Sequence, residues 1–146
     1  MLKINILVSE KIMNIFLTPI FISTLSLFYI FLAMRVGYMR GSPVMKLFFK
    51  MDKKVTEEKL NRNIRAHGNF SEYVPLYLLL LLVSELVGVS SYSYMLIASL
   101  IFTYGRIAHA ICFAFFDYNP FLRISGMLTT YVGIVMLSIK LITFYV

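Results

Sequence analysis

Charged residues divide the chain into long apolar runs. Residues 12–34 form an uncharged run of 23 residues, 86–105 one of 20, and 124–139 one of 16. A membrane helix needs roughly 20 apolar residues to cross the hydrocarbon core. Lys140 can extend its amine toward the headgroups, so the last run fits a helix that continues to 144. The first run is too long for a signal-peptide core, so we expect a retained span.

One further helix carries charge in its first half. Only 12 uncharged residues separate Glu72 from Glu85, too few for a span, so this helix must begin near Thr56. A threonine cap followed by Glu57 and Glu58 suits a helix start, where the dipole favours acidic residues. Polar residues then continue into the membrane, where they must face protein or water. We predict spans at 12–36, 57–86, 92–116 and 122–144, with a cytoplasmic loop at 37–56.

Composition supports this membrane assignment and removes other classes. The 146 residues are 60% hydrophobic and 14% charged, which is too apolar for a disordered chain or an ordinary soluble domain. The length indicates a single domain, 1–146. One cysteine excludes an internal disulfide framework, and the two histidines lack the spacing of metal ligands, so we expect no metal site.

The distribution of charge predicts the orientation. Residues 35–65 hold nine basic and three acidic residues, whereas the connection at 88–91 is uncharged. The positive-inside rule places the basic segment and the turn before Arg123 in the cytoplasm, with both termini on the other side. The excess of basic residues therefore belongs to a cytoplasmic membrane face, and we expect no nucleic-acid partner.

A polar stripe on the second helix is the clearest candidate site. Arg62, Arg65, Asn69 and Glu72 follow one another at spacings of 3, 4 and 3, which places them on one helix face beside Tyr73. The structural alternatives are that Arg62 is solvated or meets headgroups, and that Arg65 pairs with Glu72 or Asn69. The depth of this polar stripe in the membrane favours a functional role for it, because an unpaired arginine near the bilayer centre costs roughly 2.5–3.5 kcal/mol.

Other residues could face the same cavity. Arg106 and His109 lie one turn apart on the third helix, and Arg123 opens the fourth. The structural alternatives are a helix–helix hydrogen bond for the histidine, a headgroup-directed side chain for Arg106, and binding of lipid phosphate for Arg123. We expect Glu85 to be solvated and Cys112 to be inert core.

Three segments resemble the MAPEG family, the membrane-associated proteins in eicosanoid and glutathione metabolism. Residues 65–76, RAHGNFSEYVPL, resemble the family's second-helix signature. GRIAH at 105–109 and RISGM at 123–127 resemble the third- and fourth-helix signatures of its small bacterial branch. The resemblance covers about residues 21–146 and implies an all-α four-helix membrane bundle that assembles as a homotrimer. It implies a bacterial inner membrane and glutathione bound between subunits near the cytoplasmic side.

The resemblance also implies roles for individual residues. Arg106 corresponds to a basic position that lines the site, with His109 one turn on. Arg123 lies where the family places an arginine near the thiol and is the candidate catalytic residue, whereas Arg35 is not carried over. Family members often have tyrosines where this chain has His109 and Phe113. The residues that correspond to glutathione ligands are Arg65, Asn69, Glu72 and Tyr73.

These residues together predict a membrane-bound glutathione-dependent transferase or peroxidase. Glutathione is the co-substrate, and its thiolate, stabilised by Arg123 with help from Arg106 or His109, attacks a lipophilic electrophile or lipid hydroperoxide. The absent phenols leave open a non-catalytic lipid- or glutathione-binding protein of the same fold. A small transporter or channel subunit is a third hypothesis, but the chain lacks a repeat of discontinuous helices.

Overall fold

The structure, a computed structural model, describes residues 15–48 and 55–146, and this part of the chain is all-helical. A helical turn at Met45–Phe48 lies between the first two long helices. Each long helix is apolar enough to cross a membrane, which confirms the predicted all-α membrane bundle and makes the protein an integral multi-pass one. The long helices are α1 (Leu17–Met39), α2 (Glu57–Val87), α3 (Tyr92–Phe115) and α4 (Pro120–Tyr145).

Local sequence signals set the helix ends. Thr56 accepts a hydrogen bond from the Lys59 amide at 3.3 Å, so the predicted threonine cap of α2 is confirmed. Gly88, with a φ of 71°, ends the same helix in the left-handed conformation that glycine favours. The α1 helix runs to Met39, beyond the predicted end at 36, and part of its predicted start, 12–14, lies outside the described residues.

The two middle helices form the centre of the bundle. The α1 helix packs against α2, and α4 packs mainly against α3. Between α2 and α3, the rings of Tyr77 and Phe102 stack with their centres 3.9 Å apart, and the Tyr77 hydroxyl lies 3.0 Å from that of Ser99. The outer faces of α1 and α4 expose many large apolar side chains, as lipid contact requires.

Glycines bring α3 and α4 unusually close together. A Cβ atom at Gly105 would lie 2.7 Å from the hydroxyl oxygen of Thr130, and one at Gly126 would lie 2.9 Å from the His109 amide nitrogen. Small residues allow such backbone approach in membrane bundles. This packing places the α3 face that carries Arg106 directly against α4.

Glu85, near the end of α2, corrects an expectation, because it is not solvated. It is 6% exposed and accepts hydrogen bonds from the amides of Phe16, Leu17 and Thr18 at 3.0, 2.7 and 2.8 Å. The start of a helix leaves amides unpaired and carries a partial positive charge. The carboxylate therefore fastens the start of α1 to the end of α2.

Candidate functional site

Arg106 on α3 is the most deeply buried charged side chain in the described part of the protein, with 1% of its surface exposed. Its Nε donates to the Thr130 hydroxyl at 2.7 Å, and its Nη1 lies 3.5 Å from the Asn69 carbonyl oxygen. The guanidinium carbon lies 4.6 Å from the centre of the Tyr73 ring. These partners are neutral, and no carboxylate among the described residues pairs with it. Within the described ranges, its charge is therefore buried without a counter-ion.

Tyr73 lies between this guanidinium and a second tyrosine on α4. The hydroxyl oxygens of Tyr73 and Tyr131 are 3.4 Å apart, and their ring centres are 6.2 Å apart. Sequence reasoning missed Tyr131, although it continues an i, i+4, i+8 series from Arg123. The pair places two phenols beside the buried cation, whereas α3 has His109 and Phe113 at the family's tyrosine positions.

The ring of Phe113 lies close to three other side chains of the site. It lies 4.9 Å from the buried His109 ring, 5.3 Å from the Arg62 guanidinium and 5.7 Å from that of Arg123. Arg123 is exposed in the first turn of α4, where the helix dipole disfavours a cation. No described carboxylate pairs with it, so this arginine adds to a local positive potential that favours an anion.

The polar stripe predicted on α2 does not form one contact surface. Arg62 is half-buried and donates to the carbonyls of Cys112, at 3.1 Å, and Phe116, so it is more than the solvated or headgroup-bound side chain of the structural alternative. Arg65 and Glu72 are exposed on the single chain. Neither forms an ion pair within the described ranges, so the structural pairing considered for Arg65 is not found there.

Sequence reasoning also missed a polar contact between α1 and α2. Arg35 donates to the Asn63 side-chain oxygen at 2.7 Å and to the Ala114 carbonyl at 2.8 Å. Asn63 is 2% exposed and donates to the Lys59 carbonyl at 2.8 Å. The position of Asn63 could have indicated this contact. It begins the buried face of α2 that continues through Ala66, and a buried polar residue requires a hydrogen-bond partner.

An apolar cavity of about 530 Å³ lies elsewhere, between α1 and α2. Its wall includes Leu25, Tyr29 and Val74 but none of the residues of the predicted site. The His67 ring lies tilted by 36° against that of Tyr29, with ring centres 4.8 Å apart, and its buried Nε2 has no hydrogen-bond partner in the described chain. The predicted site residues lie away from this cavity, at the face that α2, α3 and α4 share, where Arg65, Glu72 and Arg123 are exposed and Arg106 and His109 are buried.

The side chains on this face suit an anionic or zwitterionic ligand. Arginines bind carboxylates through paired, charge-assisted hydrogen bonds, and a glutamate binds an ammonium group. Among residues 15–48 and 55–146, no three His, Cys, Asp or Glu side chains are grouped as metal ligands would be. The residues that could contact such a ligand are Arg65, Asn69, Glu72, Tyr73, Arg106, His109, Arg123 and Tyr131.

Comparison with known proteins gives one match. The model of the MAPEG family matches residues 18–143, nearly the whole chain. No curated protein and no solved structure matches the chain.

Proposed function

The chain belongs to the MAPEG family, and from this premise we propose that it is a membrane-bound, glutathione-dependent transferase or peroxidase. The family is of a glutathione-related transferase and peroxidase type in general. For this chain we propose lipophilic electrophiles or lipid hydroperoxides as second substrates, because they partition into the bilayer that surrounds the helices. Glutathione is the proposed co-substrate.

The unpaired charge of Arg106 is the observation that carries this proposal. The guanidinium of Arg106 lies against the Tyr73 ring, and its hydrogen-bond partners are all neutral. Because it is buried, it attracts an opposite charge more strongly than it would in water. A glutathione carboxylate at the outer edge of Tyr73 would supply the missing anion. Arg65 and Glu72 are suited to a second carboxylate and to the ammonium group, and Asn69 to an amide of the tripeptide.

The exposed charges support a site completed by another subunit. An unpaired arginine or glutamate that faces lipid at depth costs roughly 2.5–3.5 kcal/mol, and both Arg65 and Glu72 are exposed on the single chain. We propose that a neighbouring copy in a homotrimer covers this face and encloses the ligand. The same contact keeps bulk lipid away from the polar groups.

Arg123 is the proposed catalytic residue. A nearby cation stabilises a thiolate, which is the reactive form of the thiol. Arg123 combines its own charge with the positive end of α4. The sulfur then attacks an electrophilic carbon to form a thioether, and the leaving group departs with the electron pair of the broken bond. With a hydroperoxide, it attacks the terminal oxygen and breaks the O–O bond, which gives glutathione sulfenic acid and, after protonation, the alcohol. A second glutathione then reduces the sulfenic acid to glutathione disulfide and water. Tyr131 and Tyr73 offer hydroxyls that can donate to the oxygen that gains charge.

A binding protein without turnover is the second candidate. His109 and Phe113 stand where other members often have phenols, and this difference favours the candidate. Saturable capture of a fatty acid without glutathione, combined with no conjugation of a model electrophile, would support it over the enzyme.

Thiolate formation tests the proposal. Purified protein in detergent is titrated with glutathione while the ultraviolet absorbance of the thiolate is followed. We expect a saturable signal from the native chain, little from Arg123→Ala, and a native signal from the control Lys140→Ala, about 26 Å away along the same helix. Normal thiolate yield in Arg123→Ala would remove this arginine from the mechanism, and no signal from the native chain would refute thiolate activation.

A further inference from the structure

The last carbonyls of α3 receive arginine side chains from two other helices. The end of a helix leaves carbonyl groups unpaired and favours cations. Arg35 of α1 donates to the Ala114 carbonyl, and Arg62 of α2 donates to that of Phe116 and to that of Cys112, which also accepts from the Phe116 amide at 3.3 Å. These hydrogen bonds tie α1, α2 and α3 together at the end of the bundle where α4 begins.

The same end of α3 is fastened to the start of α4. The Cys112 thiol donates to the Asn119 carbonyl at 3.3 Å, and this oxygen also accepts from the Arg123 amide at 3.2 Å. The Asn119 side chain caps α4 by accepting from the Leu122 amide at 3.0 Å. These contacts couple the end of α3 to the backbone of Arg123.

The side chain of Arg123 depends on the same contacts. The guanidinium groups of Arg62 and Arg123 both lie against the ring of Phe113, at 5.3 and 5.7 Å from its centre. Arg35 stacks on the next aromatic ring, that of Phe115, at 4.0 Å. Arg62 thus holds the carbonyls that end α3 and also shares the aromatic surface on which Arg123 lies.

We propose that Arg62 is a positioning residue that locks the corner between α3 and α4 and thereby fixes Arg123 against the glutathione sulfur. The inference rests on the proposed function, because it assigns Arg62 to the thiolate site through Arg123. It does not place Arg62 in contact with glutathione, since its guanidinium group already binds the carbonyls of Cys112 and Phe116.

Loss of the Arg62 contacts displaces Arg123 but leaves its charge in the protein. A misplacement of about 1 Å can reduce a rate about 100-fold, so we expect Arg62→Gln to lower kcat about tenfold to 100-fold. The KM for glutathione stays close to native, because the groups that bind the tripeptide remain. The midpoint pH of thiolate formation rises, because the stabilising cation lies farther from the sulfur.

The experiment compares the native protein with Arg62→Gln, Arg62→Lys and Arg40→Gln. Arg40 is exposed at the end of α1, so its replacement removes a positive charge outside the lock. Lysine keeps the charge of Arg62, but it lacks the planar fork that can bind two carbonyls and lie along a ring. Three readouts are measured on trimer-sized, folded material: kcat and KM for glutathione from steady-state kinetics, the pH titration of the glutathione thiolate, and hydrogen exchange of the backbone amides within residues 116–123 without glutathione.

Arg62→Gln is expected to raise both the exchange rate of the corner and the thiolate midpoint pH, Arg62→Lys to restore neither fully, and Arg40→Gln to change neither. Faster exchange with a native thiolate titration would overturn the positioning role. Full rescue by lysine, or an equal effect of Arg40→Gln, would reduce the role to charge alone. A raised KM with a native midpoint would make Arg62 a ligand. Absence of thiolate from the native protein would instead refute the proposed function, whatever the exchange data show.

Discussion

Seven charged residues of the described chain fall into two groups that differ in their partners. The first group hydrogen-bonds backbone groups at helix ends, and the second has neither a helix-end partner nor an ion pair among the described residues. Because a partnerless charge is costly in a membrane, the second group indicates a ligand or a neighbouring subunit, whereas the first is explained by the fold. The first group is Glu85, Arg35 and Arg62, and the second is Arg65, Glu72, Arg106 and Arg123.

The comparison separates two properties that mutations usually change together. Removing a charge of the first group leaves helix amides or carbonyls unpaired, so stability falls. Removing one of the second group leaves no protein group unpaired, or only a neutral one, so the ligand is affected first. Three substitutions of charged residues test this separation, and a fourth removes a neutral hydroxyl beside the second group.

Arg123→Ala has the largest expected effect. Loss of one group that stabilises the developing charge reduces turnover about 100-fold to 1000-fold, or about 3–4 kcal/mol of barrier. The side chain is exposed, so unfolding stability stays within about 0.5 kcal/mol of native. Steady-state kinetics with a model electrophile measures turnover, and unfolding in detergent measures stability. A matching loss of stability would move Arg123 into the first group.

Glu85→Ala is expected to lower stability and to leave the affinity for glutathione unchanged. Three amides at the start of α1 lose their shared acceptor, and stability falls by about 2–3 kcal/mol. Glu85→Gln is the control, because its amide oxygen still accepts hydrogen bonds without the charge, so it loses less. Folded Glu85→Ala binds glutathione with native affinity, measured by calorimetry at low temperature. Weakened binding in the folded variant would show that the two ends of the bundle are coupled.

Arg106→Met exchanges stability for affinity. Methionine fills the buried volume without an unpaired charge, so stability is native or higher. Glutathione affinity falls about tenfold, or about 1.4 kcal/mol, because the anion loses its buried cation. Thermal unfolding and calorimetric titration of the same preparation give both quantities. Reduced stability with unchanged affinity would mean that the arginine is a structural residue.

Tyr131→Phe has the smallest expected effect. It removes one hydroxyl, 3.4 Å from that of Tyr73, and keeps the ring. We expect turnover to fall about twofold to fivefold, the size of one neutral hydrogen bond, with thiolate formation unchanged. Stopped-flow measurements follow thiolate formation and the later reaction with the second substrate separately. Native turnover would exclude Tyr131 from the reaction.

Much of the fold follows from the sequence because helix length and charge gaps are local properties. The membrane spans and the capping role of Thr56 depend only on neighbouring residues, and the structure agrees with both. The surroundings of Glu85 and Arg62 depend on which helix ends lie beside them. Their sequence neighbours contain no sign of the start of α1 or the end of α3. Solvation was therefore the wrong expectation for Glu85, and the carbonyl partners of Arg62 were not foreseen.

The candidate site shows the same limit. The MAPEG resemblance selected the residues of α2, α3 and α4 that could hold glutathione, but not how far each side chain is buried. Arg106 is enclosed because glycines let α4 approach α3, a fact that spacing along α3 does not contain. Tyr131 was missed because its importance comes from contact with Tyr73, 58 positions earlier in the sequence.

Calorimetric titration of glutathione onto the native protein and Glu72→Gln tests the central claim most directly, namely that the charges without partners form a glutathione site. Glu72 is exposed and makes no described ion pair, so any change in affinity comes from the ligand. We predict saturable binding to the native protein and at least about tenfold weaker binding to the variant. Equal affinity of the two proteins, or no saturable binding by the native one, would contradict the account.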